Sequence, residues 1–377
     1  MRCCQIVPSL EEQYGGPSKS VLALSRALAA AGTPTALHAT HPSTPSRARD
    51  GSFELQIFRR DPPARLCRSR ALRKHLEAQA ACDVVHHHSL WLRTLHYAHC
   101  AARARSIPLV ISPRGMLSDW AWEHHPWRKR LAQAWVHPGA LAGAAGWHVT
   151  SSQEADEVRA RGFKQPICVA PNGIAPADPG EREAAAAHWR ARCGDVSTKR
   201  TALFYSRLHR KKRVLELIDL WLQVAPPEWL LLVVGIPEDY TPAQLETYVM
   251  RASGAGRVRA FDGRDQLPPY PVAELFLLPS HNENFGMVIA EALANGLPAL
   301  VTDSTPWSEL NARGAGWCVP WQDYGNTLQA ALKLEPAELA RRGEAGRRHV
   351  LEHYSWARSA EILAAFYRQL GDGASAR

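Results

Sequence analysis

Glu283 and Glu291, eight positions apart, flank a helix start in the stretch LLPSHNENFGMVIAEALANGLPALVT (277–302). The pattern predicts a buried strand, a polar loop, and a helix launched through Glu283-Asn284-Phe285-Gly286. The exposed N–H groups of Gly286 and Met287, together with the helix dipole, favour a phosphate there. Glu283 sits in the loop, where a carboxylate can accept hydrogen bonds from sugar hydroxyls. Glu291 falls on the first helical turns, on the side that reaches back over the N-terminus, and suits the vicinal hydroxyls of a ribose. The plainer alternative makes Glu283 a partner of the helix dipole and leaves Glu291 facing solvent. That alternative does not account for a second cluster, Tyr205-Ser206-Arg207-Leu208-His209-Arg210-Lys211-Lys212-Arg213, which follows another apolar strand. Cations at the carboxyl end of a strand suit a diphosphate, with the forked donor of Arg207 and the mobile point charge of Lys212.

Two further segments invite chemistry. The loop Ser9–Ser18 carries Gly15-Gly16 just before a helical pattern. Bare backbone there can approach an anion, although from this element alone a tight turn capped by Ser18 is the better reading. Neither GxxxxGK[ST] nor GxGxxG is present. In DVVHHHS (83–89) the period of two sends Val85 and His87 to one face and His86 and His88 to the other. His88, at the carboxyl end, is expected to point toward a ligand, and His86 to be a satisfied structural side chain. No HExxH and no carboxylate ligand set accompany the three histidines, so no metal is expected.

These residues need a scaffold, and the rest of the chain supplies its outline. A chain of 377 residues is long for one core, so two domains are expected. Apolar β-branched runs alternate with amphipathic segments at 4–9, 34–39, 54–59, 83–88, 108–113, 146–151 and 167–171. A second series follows at 201–206, 229–235, 257–263, 273–280, 298–303 and 316–320. The pattern is that of parallel α/β sheets, doubly wound, with ligands at the carboxyl ends of strands. The composition shift at 173–200 marks the link between them. Eight scattered cysteines without a CxxC pair exclude a disulfide framework and a thiolate zinc site, and Cys3, Cys168 and Cys318 read as buried hydrophobes. The longest apolar run, 229–234, is too short to span a membrane, and the first residues make a poor signal peptide, so a cytoplasmic protein is expected. The net charge of +9 attracts anions without choosing among them. It is concentrated in 58–76, readable as a solvated helix face, and in Trp127-Arg128-Lys129-Arg130. Cations at strand ends instead of along one helix argue against nucleic acid as the partner.

Taken in order, Gly15-Gly16, DVVHHHSLW, ISPRGML (111–117), HVTSSQEADEV (148–158), VAPNGI (169–174), SRLHRKK (206–212), the Glu-x7-Glu segment, GWCVP and HYSWARSAEIL (353–363) resemble the retaining glycosyltransferases of family four. The resemblance implies the GT-B fold, two facing Rossmann-like domains. Residues 1–172 would bind the acceptor and 173–354 the nucleotide-sugar donor. Residues 355–377 would form a helix crossing back to the first domain and a frayed tail. It implies Arg207 and Lys212 on the donor diphosphate, Glu291 on the ribose, and Glu283 on the donor sugar beside Asn284, Phe285, Gly286 and Met287. Gly15 and Gly16 would approach the donor from the first domain, His88 would line the reacting centre, and Asn172-Gly173 would mark a hinge. No cofactor is implied beyond the nucleotide-diphosphate sugar itself, a substrate. The acceptor would be a glycan or lipid-linked sugar, as in cell-surface polysaccharide assembly, which SPRGML resembles more narrowly. Arg114, Trp120, Trp122, Trp127, Arg128, Lys129 and Arg130 are then candidates for the acceptor side, or for peripheral contact with an anionic membrane at the inner face of the cytoplasmic membrane. A nucleotide-sugar epimerase or a phosphorylase would share the fold. One departure concerns loop geometry: Arg213 stands where a glycine commonly follows the lysine.

Overall fold

The structure is a computed structural model that describes every residue except 12–15, 44, 79–81, 124, 125, 177, 376 and 377. Contacts divide the chain into two compact units, Met1–Gly173 with Tyr354–Arg377, and Ile174–His353.

The first unit holds an eight-stranded sheet. Its strands are β1 (Cys3–Ile6), β2 (Thr35–His41), β3 (Ser46–Asp50), β4 (Phe53–Arg59), β5 (Val84–His88), β6 (Leu109–Ser112), β7 (Gly146–Val149) and β8 (Ile167–Val169). They lie in the order β3-β4-β2-β1-β5-β6-β7-β8, and every pairing is parallel except β3 with β4. Successive residues feed opposite cores, as period-two geometry demands. Cys4, Val85 and Ile111 join the cluster around Leu95 and Trp147, whereas Cys3, Val84 and Val110 join Leu24, Leu28 and Leu363 on the other face. With both faces covered, the strands read as continuous apolar runs. The helix Trp356–Ser375 belongs to this unit and supplies Leu363, Phe366 and Tyr367 to the second face. Gly173, at the end of this unit's first segment, lies so close to it that a Cβ there would meet the Trp356 backbone nitrogen at 2.3 Å.

The second unit holds β9 (Arg200–Tyr205), β10 (Trp229–Gly235), β11 (Val258–Asp262), β12 (Leu275–Leu278), β13 (Ala299–Thr302) and β14 (Gly316–Val319), all parallel, in the order β11-β10-β9-β12-β13-β14. Every residue of β10, WLLLVVG, is buried. The 173–200 stretch enters this unit as the helix Pro179–Arg192, capped by Asp178 and anchored by Trp189. In both sheets the order reverses once, between β1 and β5 and between β9 and β12. Loops leaving those strand pairs diverge to opposite faces and open a crevice, the place where such folds hold ligands.

β3 has no counterpart among the expected strands. Its SRARD sequence is exposed throughout and carries no apolar alternation to betray it. Among the described residues, no helix is long and apolar enough to cross a membrane.

Candidate functional site

In the second unit the reversal point brings both charged segments together. After β9 the chain forms a single 3-10 turn, Arg210–Lys212, capped by His209, whose Nδ1 accepts from the Lys211 N–H at 3.0 Å. After β12 the loop 279–286 runs beside it, and the Lys211 carbonyl accepts from the His281 N–H at 2.8 Å. This stitching sets Lys212 Nζ against Glu283 Oε1 as an ion pair with both side chains largely buried. Burial alone would raise the Glu283 carboxyl, but the Lys212 charge and hydrogen bond, helped by Lys211, outweigh it and hold the group below its ordinary value. The pair leaves further capacity. An ammonium has three donors, and a carboxylate has about four lone-pair positions.

Gly286 turns the loop into the helix Met287–Ala294 with φ +77°, and a Cβ there would strike Ile289 at 2.8 Å. Glycine meets both demands without strain. Among the described residues, no acceptor is assigned to the N–H groups of Gly286, Met287 or Val288, the usual state of a helix start. Phe285 does not face outward: it is buried on Trp307 with ring centroids 5.5 Å apart, and its carbonyl accepts from Trp307 Nε1 at 2.6 Å. Asn284 is half-buried in the same loop. One Glu291 oxygen accepts from the hydroxyl of Tyr270 at 2.7 Å, so the acid is oriented by a buried tyrosine that the sequence reading did not single out. Nothing in the PPYPVAE context distinguishes that residue. Arg207 is half-exposed and paired with Glu238 at 2.8 Å, another partner absent from the sequence reading.

Arg213 adopts φ +53°, ψ +38°, the left-handed conformation a glycine would supply. Its guanidinium stacks on Trp321, 4.5 Å from the ring centroid, and donates to His281 Nδ1 at 3.0 Å. The loop keeps its shape, and the side chain is used elsewhere.

The first unit's reversal point is organised differently. The Ala170 carbonyl can only accept, so His148 Nε2, 2.9 Å away, carries the proton. His148 Nδ1 then accepts from Ser112 Oγ at 2.7 Å, and Ser112 in turn accepts from His86 Nε2 at 2.8 Å. His86 Nδ1 accepts from the Tyr367 hydroxyl at 2.6 Å, and that oxygen accepts from Gln5 Nε2 at 3.2 Å. Gln5 Oε1 accepts from His88 Nε2 at 2.5 Å, and His88 Nδ1 accepts from Arg114 Nη2 at 3.0 Å. Arg114 Nη1 closes the run on Asn172 Oδ1 at 2.9 Å. One direction of donation satisfies every link only if all three histidines are neutral. Burial drives each of them down, His148 to about 3 and the other two well below the ordinary range.

His88, expected to face a ligand, is placed inside this chain. The ring is fully buried, with both nitrogens engaged, and does not line an open centre. His86 is the satisfied structural histidine expected of it, and His87 turns to the opposite face, bonded to Ser89 and Thr94. Nitrogens of His86, His88 and His148 lie within 4.8 Å of one another, a spacing that would suit a metal. Each is committed to a protein partner, however, and the Arg114 charge stands beside His88. The half-buried group at the outer end of the chain is Arg114. It holds φ +54°, and burial lowers its guanidinium to about 10. Its loop is fixed by buried Glu154, which accepts from the N–H groups of Gly115 at 2.7 Å and Thr150 at 2.8 Å.

Gly15 lies outside the described residues. Gly16 opens the helix Gly16–Ala30, and among the described residues a Cβ there would meet nothing within 4 Å. The aromatic-basic segment divides. Trp122 is half-buried, 5.9 Å from Trp91 and capped by Arg161, and Lys129 donates to the Ala121 and Trp122 carbonyls, so neither is free to meet a partner. Trp120 is also half-buried, whereas Trp127, Arg128 and Arg130 are exposed. The basic stretch 58–76 is likewise not uniformly solvated, because Arg60 is buried and paired with Glu11 at 2.6 Å.

Comparison with known proteins gives this geometry a context. Residues 15–173 match the Glycosyl transferase 4-like domain, and residues 187–349 match Glycosyl transferases group 1. The chain is 26% identical over 315 residues to the alpha-maltose-1-phosphate synthase of Mycolicibacterium smegmatis, covering 77% of this chain and 80% of that protein. It is 25% identical over 177 residues to the lipopolysaccharide core biosynthesis mannosyltransferase LpsB of Rhizobium meliloti, covering 44% of this chain and 50% of that protein. In structure it resembles Anabaena Alr3699/HepE, solved in complex with UDP and glucose, with a TM-score of 0.76 and 18% identity, over 98% of this chain and 100% of that one. At that identity the structural likeness carries the fold alone.

Proposed function

Because the chain belongs to the family-four glycosyltransferases of the GT-B fold, we propose that it moves a hexosyl unit from a nucleotide-diphosphate sugar to a hydroxyl of a glycan or lipid-linked acceptor. The anomeric configuration is retained, no metal is needed, and the product enters cell-surface polysaccharide. The observation that carries this reading is the Lys212–Glu283 pair, held at the β9/β12 reversal beside the open helix start at Gly286.

The second unit takes the donor. Breaking the glycosidic bond leaves an oxocarbenium-like sugar and a diphosphate that gains negative charge. Lys212, Arg207 and the N–H groups at the Gly286 helix start stabilise that charge by fixed electrostatics, and they strengthen as it grows. Arg207 must turn from Glu238 to do so, which its half-exposed position permits. Glu283 keeps Lys212 oriented and uses its remaining lone pairs on sugar hydroxyls, while Glu291, oriented by Tyr270, takes the ribose. The departing phosphate accepts the acceptor's proton on the same face. Glu283 therefore needs no role as a covalent nucleophile of the kind retaining glycosidases use.

The first unit takes the acceptor, with Arg114 as a cation aimed by its bonds to His88 and Asn172. Exposed Trp127, Arg128 and Arg130 support peripheral contact with an anionic membrane surface. Replacing Arg128 and Arg130 by Glu should abolish pelleting with anionic vesicles, and unchanged pelleting would remove that part of the proposal.

A thermal-shift panel of UDP-, GDP-, ADP- and dTDP-sugars tests the core of the reading. A ligand at ~100 times its dissociation constant should stabilise the protein by about 2.7 kcal/mol. The Glu291→Ala change should erase the shift for every nucleotide, and an equal shift in both proteins would overturn the ribose assignment.

A further inference from the structure

A cavity of about 400 Å³ opens in the first unit, lined by none of the histidines, among segments that follow β4, β5 and β6. Arg68, Arg70, Arg73 and Arg93 line it together with Tyr97 and Trp135, and among the described residues no carboxylate does. Arg73 spends its charge on Glu77 at 2.7 Å. Among the described residues, the side chains of Arg68 and Arg70 have no ion-pair partner, and the nearby Asp61 accepts from the Arg70 backbone N–H at 2.6 Å. Arg93 is fixed in place by donating through Nη1 to the Trp135 and Val136 carbonyls at 3.0 and 2.8 Å, which also pins the turn carrying Trp135. A protein gains nothing in stability by crowding like charges around an empty space. Such an arrangement suits a multiply charged anion with forked recognition sites.

One wall of this cavity, Trp135, is apolar and exposed, and it ends a row of exposed apolar side chains. Trp127, Leu131 and Trp135 are spaced four apart through the helix Pro126–Leu131 and the single π turn Ala132–Val136 that continues it. They are 58%, 49% and 74% exposed. Tryptophan and leucine in a solvated row beside arginines fit a surface that meets hydrocarbon on one side and anionic headgroups on the other.

We propose that this cavity binds the phosphate or diphosphate of an amphiphilic acceptor, whose hydrocarbon lies along the Trp127–Leu131–Trp135 row. The assignment names the chemistry of the acceptor and so rests on the transferase reading above. It gives Trp135 a role, and it confines the phosphate contacts to Arg68, Arg70 and Arg93.

Binding of inorganic pyrophosphate and of farnesyl diphosphate, a short water-soluble amphiphile, tests the assignment by calorimetry with the Lys212 site saturated by UDP, whose own affinity, titrated separately, is the control. Farnesyl diphosphate should bind wild type more tightly than pyrophosphate does. The R68E/R70E protein should bind both at least about tenfold more weakly, the loss expected for two charged hydrogen bonds, while UDP affinity stays unchanged. Trp135→Ala should remove the advantage of farnesyl diphosphate and leave pyrophosphate binding intact. The charge-neutral pair R68Q/R70Q, with its melting midpoint compared with wild type, separates lost contacts from lost folding. Equal pyrophosphate binding in wild type and R68E/R70E would overturn the cavity assignment. Equal affinity for the two probes in wild type would overturn the amphiphile and leave a soluble phosphate compound as the better occupant. UDP binding retained alongside either failure would leave the transferase reading standing, and absence of UDP binding to wild type would fail that reading first.

Discussion

The two sheets reverse order at corresponding places and solve the same design problem with opposite physics. The second unit places a charged pair, Lys212 and Glu283, at its reversal point. The first fills its own with neutral groups, seven hydrogen bonds running from Ala170 through His148, Ser112, His86, Tyr367, Gln5 and His88 to Arg114. A charged pair with spare donors and lone pairs can engage a charged substrate without rearranging. A directed chain of neutral rings binds nothing itself, but it fixes one side chain at its end. The difference teaches where to look for chemistry and where to look for rigidity, since burial depresses the histidines and the Lys212 contact depresses Glu283.

The sharpest way to break the comparison is to strip the charge from one side. Lys212→Ala should lower kcat/KM by about 10²–10³, the usual loss for one preorganised electrostatic donor. It should also lower stability by about 3–5 kcal/mol, because Glu283 is left largely buried without its partner. The double change K212A/E283A should recover part of that stability but none of the activity, as followed by urea denaturation and nucleoside-diphosphate release. A double variant less stable than K212A would show that the pair is not held by the desolvation argument.

Tyr270→Phe probes the same unit more gently. The hydroxyl donates to a carboxylate, so its removal should cost about 1.5–3 kcal/mol in chemical denaturation. Nucleotide affinity should weaken for every base, because Glu291 loses its orienting partner. A base-selective loss would move Tyr270 from the ribose to the base.

Acid should separate the two sides. The unfolded chain takes up protons on histidine near 6.5, while folded His148 resists until about 3 and His86 and His88 lie well below their ordinary range. Their contribution is complete above pH 6.5 and is lost as pH falls, at about 1.4 kcal/mol per pH unit for each ring. Glu283 acts in the same direction only below its ordinary 4.5, whereas Glu154, raised by burial, acts in the opposite direction. His148→Gln keeps one donor and one acceptor and should flatten the stability slope between pH 6 and 5 by about that single-ring amount. An unchanged slope would mean that the ring is already charged in the folded protein.

How much of this was legible in the sequence depends on the distance along the chain over which each feature forms. Local signals served well: the strands, the Glu283–Gly286 helix start, and the opposed faces of His86 and His87 follow from periods of two and from helix polarity. Long-range pairings were invisible, because nothing local ties Gln5 to Tyr367 or Tyr270 to Glu291. The partners of His88, Gln5 and Arg114, are likewise distant in sequence and leave no local sign. Tryptophans were the weakest ground. Composition cannot tell Trp122, packed on Trp91, from Trp135, exposed at a cavity rim.

Arg213 gives the finest test of how the charged side is built. A left-handed non-glycine residue costs on the order of 1 kcal/mol, and a cation stacked on an aromatic ring at a partly exposed position returns about 0.5–1 kcal/mol. Arg213→Gly removes both terms and adds some backbone entropy to the unfolded chain, so stability should stay within about 1 kcal/mol of wild type. Arg213→Ala keeps the φ of +53° while losing the stack on Trp321 and the bond to His281, and should be the less stable of the two. Donor affinity should follow the same order, because the shape of this turn, and not the arginine's charge, sets Lys212 against Glu283. If Arg213→Gly weakens donor binding more than Arg213→Ala, the charge itself is part of the site.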